Sequence, residues 1–113
     1  MSDSIFTRII NRDIPAAIVF EDDRVVAFRD AHPQAPTHIL IVPRKPIETL
    51  NDAGEVDESL LGHMLLTSGR IAAAEGLEHG YRLVMNCRDH GGQTVYHLHL
   101  HLLGGRPTRW PPG

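Results

Sequence analysis

The chain has almost no cysteine: Cys87 stands alone among 113 residues. No internal disulfide can staple the fold, and a single thiol fits a reducing compartment. A basic surplus is missing too. Eleven Lys and Arg face fourteen Asp and Glu, for a net charge of −3, which leaves no global positive field for nucleic acid or an anionic membrane. No apolar run approaches the length of a bilayer span, and Met1-Ser2-Asp3-Ser4 opens without the basic-then-apolar pattern of a secretion signal. These absences point to a cytoplasmic protein with neither nucleic acid nor membrane as partner. No repeat, low-complexity stretch or linker divides the sequence, so 1–113 reads as one domain with a Gly/Pro-rich tail over 104–113. A core of this size gains from pairing with a second copy.

What the chain has in excess is histidine, eight residues in all, so their positions carry the reading. Ser4 caps a short helix with apolar Ile5, Phe6, Ile9 and Ile10, ended by Pro15. Ile18 to Glu21 and Val25 to Arg29 read as strands around an Asp22-Asp23 turn. A Pro-rich connection leads to a strand over His38 to Val42 stopped by Pro43. A short helix or turn is expected over Pro46 to Leu50 and a loop over Asn51 to Val56. The clearest helix is Glu58 to Glu75, with Leu61, Met64, Leu65, Ser68, Ile71 and Ala72 on one face, Asp57 as N-cap and Gly76 past its end. Tyr81 to Met85 and Val95 to Leu103 complete the strands, with a polar loop over Cys87 to Thr94 between them. Short connections between neighbouring strands imply an antiparallel sheet with one long helix packed on it, an α+β fold.

His97-Leu98-His99-Leu100-His101-Leu102 is the segment richest in chemistry. Alternation in a strand sends the three histidines to one face and the three leucines to the other. The leucines belong to the core. The imidazoles face solvent or a ligand, where threonine or lysine would serve a plain exposed strand better. His32, His63, His79 and His90, taken singly, read as structural or solvated. Two chemistries fit the alternating row. In a metal site, the outer pair lies about 13 Å apart along the backbone, far for ligands each about 2.1 Å from one ion, and no cysteine pair or H-E-x-x-H helix accompanies them. In nucleophilic and acid–base catalysis, a neutral imidazole attacks phosphorus while its neighbours donate to phosphate oxygens or the leaving group. Spacing alone favours the second modestly. Gly91-Gly92-Gln93-Thr94 just before the row reads either as an ordinary Gly-Gly turn or as a phosphate cradle of backbone N–H groups with two neutral donors. A metal-dependent hydrolase and a nucleotide-binding adaptor without turnover remain as alternatives.

The run from Gly91 to Arg106 resembles the signature of the histidine triad family and, within it, the Hint branch of purine nucleoside phosphoramidases. Ile5-Phe6, Ile14-Pro15-Ala16, Phe20-Glu21-Asp22-Asp23, Pro33-Gln34-Ala35-Pro36-Thr37-His38, Glu58 to His63 and Trp110-Pro111-Pro112-Gly113 match that branch as well. The resemblance implies a two-layer α+β subunit with a five-stranded antiparallel sheet, one long and one short helix, and a homodimer whose sheets join. It implies His99 as the nucleophile, His101 against the phosphate, and His97 and His38 tuning protonation behind it. Asn86, Gly92, Gln93 and Thr94 would surround the phosphate and leaving group. Asp30 would bind the ribose hydroxyls, and Phe6, Ile9, Ile14 and Phe28 would line a base pocket. Trp110 would reach the partner's active site. The implied reaction is hydrolysis of a purine nucleoside 5′-phosphoramidate or acyl-nucleotide through a nucleotidyl-histidine, with AMP or GMP conjugates as substrates and no metal or cofactor. A dinucleoside polyphosphate hydrolase of the same superfamily is the alternative. The chain departs from the branch at Thr94, where serine is common, and at Ala31, where a larger aliphatic residue is common. Cys87 reads as incidental.

Overall fold

In a computed structural model that describes residues 4–113, one antiparallel sheet organises the chain. Its strands are β1 (Ile18–Glu21), β2 (Val25–Arg29), β3 (Thr37–Pro43), β4 (Arg82–Val84) and β5 (Leu100–Gly104), in the order β1-β2-β3-β5-β4. Helix α1 (Ile5–Ile10) precedes the sheet and α2 (Glu58–Ala74) sits between β3 and β4. The expected α+β architecture is therefore present. No helix among the described residues is long and apolar enough to cross a membrane.

Local chemistry sets the element ends. Ser4 accepts the Thr7 N–H at 3.1 Å and starts α1. Pro15 was expected to end this helix, but it stops at Ile10. Arg12 turns left-handed at φ 65°, and the Arg12 and Asp13 N–H groups close on the Ile9 and Arg8 carbonyls, which satisfies the last carbonyls of the helix without the proline. Asp22 takes the Arg24 and Val25 N–H groups at 2.8 Å each, closing the β1–β2 turn, and its other oxygen meets His63 of α2 at 2.7 Å. His63 is thus a structural tie. The Asn51–Val56 stretch holds two single 3-10 turns, Leu50–Asp52 and Glu55–Asp57. Asp57 stands at the N-cap of α2 but does not cap it, because its carboxylate accepts the Gly54 N–H and the Lys45 ammonium.

The sheet is covered on both faces. On one, Val25, Ala27, Ile39, Ile41, Leu98, Leu100 and Leu102 pack with Met64, Ile71 and Ala72 of α2. On the other, Val26, Phe28, Leu40 and Val42 pack with Phe6 and Ile9 of α1. Leu65 was expected on the buried side of α2, but it is 52% exposed, because the helix buries a stripe along Met64, Thr67, Ser68, Ile71 and Ala72. The histidine segment also differs from expectation. Pairing starts only at Leu100, so His97, Leu98 and His99 lie outside the ladder. Leu98 is tied instead by its N–H to the Ile47 carbonyl at 2.7 Å. The alternation nonetheless persists, with Leu98 in the α2 core and His97 and His99 packed edge-on against Phe6 of α1.

Candidate active site

The histidine row, expected to face solvent or ligand, is covered. His97 is 2% exposed and His99 6%, while His101 is partly open. His38 joins them because β3 and β5 pair as Leu40↔His101 and His38↔Leu103, a two-residue offset that puts both imidazoles on one face. The rings of His38 and His101 are 5.1 Å apart, and those of His99 and His101 4.9 Å.

Hydrogen-bond partners assign a tautomer to each ring. The His97 carbonyl accepts from His99 Nδ1 at 2.7 Å, so the proton of His99 sits on Nδ1 and Nε2 keeps its lone pair. The Pro43 carbonyl accepts from His97 Nε2 at 2.7 Å, which leaves Nδ1 to accept from the hydroxyls of Ser4 at 3.4 Å and Thr7 at 3.3 Å. The Gln34 N–H donates to His38 Nδ1 at 3.0 Å, so His38 carries its proton on Nε2 and donates it to His101 Nδ1 at 2.9 Å. His101 is left with an Nε2–H. A bare nitrogen on His99 therefore lies beside an N–H on His101.

Burial keeps these rings neutral. It is the first cause lowering the pKa of His38, His97 and His99 below 6.5. His101 is pushed down to about 4, first by burial and then by the charges that His99 and His38 would carry, against the opposing pull of Asp30. The carboxylate of Asp30, with Oδ2 3.5 Å from His38 Nε2, pulls the other way, but the lost hydration of a charged ring outweighs it. Asp30, His38 and His101 are also the residues that could hold a cation, with one ligand atom from each lying within 4.8 Å of the others. The 2.9 Å between the two ring nitrogens is hydrogen-bond spacing. Two nitrogens on one tetrahedral zinc would stand about 3.4 Å apart.

The remaining expected residues divide sharply. Thr94 is exposed, and neither its N–H nor its hydroxyl has a partner among the described residues. Asn86 makes one long bond, Nδ2 to the Gly92 carbonyl at 3.4 Å, and keeps donor capacity. Asp30 stands at the end of β2 with Oδ1 accepting the His32 N–H at 2.8 Å, so only part of the carboxylate is free for a diol. Ile9 and Ile14 line a groove of about 330 Å³ with Arg12, Asp13, Pro15, Ala16 and Ile18. Phe6 and Phe28 lie in the cluster against which this groove rests, edge to face at 5.5 Å, and Phe6 also meets the His99 ring at 4.9 Å. Trp110 is 83% exposed on a tail held to the sheet edge by Arg82 donating to the Arg109 carbonyl at 2.7 Å. Cys87 is a free, partly buried thiol. A larger cavity, about 600 Å³ between Leu77, Tyr81 and Pro107, contains none of the four clustered histidines.

The backbone N–H groups of Gly91-Gly92-Gln93, which the sequence offers as a phosphate cradle, are engaged within their own turn. The Gly91, Gly92 and Gln93 N–H groups close onto the Arg88 and Asp89 carbonyls. The Gln93 amide donates to the Glu48 and Val95 carbonyls and accepts from the Arg88 N–H. Its donors are all occupied, so Gln93 clamps the loop and has none free for a phosphate. The glycines serve the turn: a Cβ on Gly91 would lie 2.4 Å from the Cys87 carbonyl oxygen, and Gly92 sits at φ 87°. Sequence reading missed the partners that set the tautomers. The sequence offers Ser4 as a cap and gives no sign of Thr7. The Pro43, His97 and Gln34 contacts are made by backbone, which has no side-chain signal.

A HIT domain matches residues 11–108. The chain is 60% identical over 111 residues to an uncharacterized HIT-like protein of Synechococcus elongatus, covering 98% of this chain and 97% of that one. It is 57% identical over 106 residues to the purine nucleoside phosphoramidase of Escherichia coli, covering 93% and 89%. The crystal structure of a HIT family hydrolase from Legionella pneumophila superposes with a TM-score of 0.96 at 54% identity, over 98% of this chain and all of that one. The domain match, the full-length relatives and the shared fold around a row of imidazoles lead to one conclusion: this chain belongs to the HIT family.

Proposed function

We propose that the protein is a hydrolase of purine nucleoside 5′-phosphoramidates or acyl-nucleotides, acting at the α-phosphorus through a nucleotidyl-His99 intermediate. The observation that carries this reading is the His99 Nδ1–H bond to the His97 carbonyl, which leaves Nε2 as an unprotonated nucleophile at neutral pH. Nε2 attacks phosphorus, the amine nitrogen takes a proton from solvent by way of the exposed Thr94 hydroxyl, and the P–N bond breaks as the neutral amine leaves. The imidazolium that forms keeps its Nδ1–H on the His97 carbonyl. Water then attacks phosphorus, loses a proton to solvent by the same hydroxyl, and His99 departs with its lone pair restored. The His101 Nε2–H donates to a non-bridging oxygen and stabilises charge there. Asn86 supplies a further donor, the free oxygen of Asp30 takes the ribose diol, and the Ile9–Ile14 groove takes the base. The name of the Escherichia coli relative supports purine phosphoramidates over dinucleoside polyphosphates, and the larger ring area of a purine is favoured against apolar walls.

The test is a rapid acid-free quench during turnover of an adenosine 5′-phosphoramidate, followed by peptide mapping. Nucleotide on His99 is expected, and nucleotide on any other residue refutes the mechanism. A parallel panel with diadenosine polyphosphates should turn over far more slowly. Comparable rates would favour the polyphosphate reading, and activity that chelator abolishes and zinc restores would favour a metal-dependent one through Asp30, His38 and His101.

A homodimer belongs to the same proposal. β4 is a sheet edge, and Leu65, Leu66 and Tyr81 are exposed, while a Cβ at Gly62 would meet nothing within 4 Å. An unpaired edge beside an apolar helix face is a surface that a second copy would cover. Light scattering at micromolar concentration should give twice the chain mass, and Leu66→Glu should give the monomer.

A further inference from the structure

Arg106 lies outside the catalytic cluster, yet it reaches that cluster through one loop. Beyond β5 the chain turns at Gly105, φ 88°, where a Cβ would lie 2.8 Å from that of Pro36, so the backbone runs directly against the Pro33–Pro36 segment. The Arg106 guanidinium then donates through Nη2 to the Gln34 carbonyl at 2.8 Å and through Nη1 to the Pro107 carbonyl at 3.1 Å. The planar fork of arginine serves two carbonyls at once, which the point charge of lysine does not reproduce. Residue 34 is therefore held by its carbonyl on one side. On the other side its N–H meets His38 Nδ1 at 3.0 Å, and its amide reaches the His32 carbonyl at 2.9 Å.

We propose that Arg106 is a positioning residue that, through Gln34, determines which nitrogens of His38 and His101 carry protons. A backbone N–H can only donate, so as long as Gln34 faces Nδ1 the proton of His38 must sit on Nε2. That proton goes to His101 Nδ1, and His101 must then present an Nε2–H. If Gln34 is released, His38 is free to carry its proton on Nδ1. To keep the bond between the rings His101 must then donate from its own Nδ1, which leaves Nε2 bare. The atom that serves as a donor to a phosphate oxygen becomes a lone pair that repels it. The net worth of one hydrogen bond is enough to tip such a choice.

The experiment is long-range proton–nitrogen correlation NMR of the full chain, which reports tautomers directly, on native protein, Arg106→Ala and Arg106→Lys. In native protein His38 and His101 should both appear as Nε2–H. In Arg106→Ala, His101 should become a tautomer mixture and kcat for the phosphoramidate should fall about tenfold, less than the roughly hundredfold cost of a 1 Å misplacement at a reacting centre. Arg106→Lys should lie between the two. A His101 that stays wholly Nε2–H in Arg106→Ala overturns the proposal, as does a native spectrum with the His101 proton on Nδ1. The kinetic arm rests on the hydrolase reading, but the spectra need no substrate. Absence of turnover in native protein would sink that reading and leave the tautomer result standing.

Discussion

The two faces of the sheet follow the same alternation and end in different chemistry. Val25 and Ala27 point to α2, Val26 and Phe28 to α1, and all four are buried. Against α2 the partners are mostly apolar, with Thr67 and Ser68 the buried polar exceptions, and the result is a hydrophobic core. Against α1 the apolar floor carries four imidazoles, each with a fixed hydrogen-bond partner. Burial holds up the fold on one face. On the other it keeps imidazoles neutral and their tautomers single.

The largest effect should come from separating these roles. His99→Ala should lower phosphoramidate turnover by about 10³-fold or more while the melting curve stays close to native. Leu102→Ala, on the opposite face of the same segment, should cost about 2–5 kcal/mol of stability yet leave kcat of the folded fraction near native. Urea titration with steady-state kinetics on both variants tests this, and swapped outcomes would mean that the faces are not separable. Acid should come next. Burial lowers the pKa of His38, His97 and His99, and takes His101 to about 4. Above 6.5 neither folded nor unfolded chain holds these protons. Between 6.5 and the lowered values only the unfolded chain binds them, so stability must fall as pH falls, by about 1.4 kcal/mol per unit for each such histidine. Urea midpoints should hold from pH 7.5 to about 6.5 and drop below it, and a profile that stays flat below about 6.5 would mean that the rings are not held neutral.

Thr7→Val probes the border between the faces. It removes one hydroxyl from His97 Nδ1 and leaves Ser4, so a loss of about 1 kcal/mol and a fall in kcat smaller than about tenfold are expected, read by the same two assays. The smallest effect is reserved for the tail. Deleting Trp110 to Gly113 should change preference among amine leaving groups and leave AMP affinity, measured by calorimetry, within about twofold, because the proposed base and ribose contacts lie on α1 and β2. Unchanged leaving-group preference would remove the tail from the site.

The sequence by itself determined the alternation, and with it much of the architecture. A two-residue period places leucine opposite histidine whether or not the strand ladder is complete, which is why Leu98 reaches the core although pairing begins at Leu100. Ser4 before an apolar helix and Asp22 in a tight turn act locally and were legible for the same reason. Tertiary structure decided everything that depends on a partner distant in the chain. The protonated nitrogen of each imidazole is set by the carbonyls of Pro43 and His97 and the N–H of Gln34, and backbone groups are identical at every non-proline position. The fate of Gly91-Gly92-Gln93 was hidden likewise, since a glycine-rich loop has the same composition whether its N–H groups are free for an anion or spent on the Arg88 and Asp89 carbonyls. A side chain's chemical type is written in the sequence. Which of its atoms remains unpaired is settled only when the chain folds and each buried donor finds its acceptor.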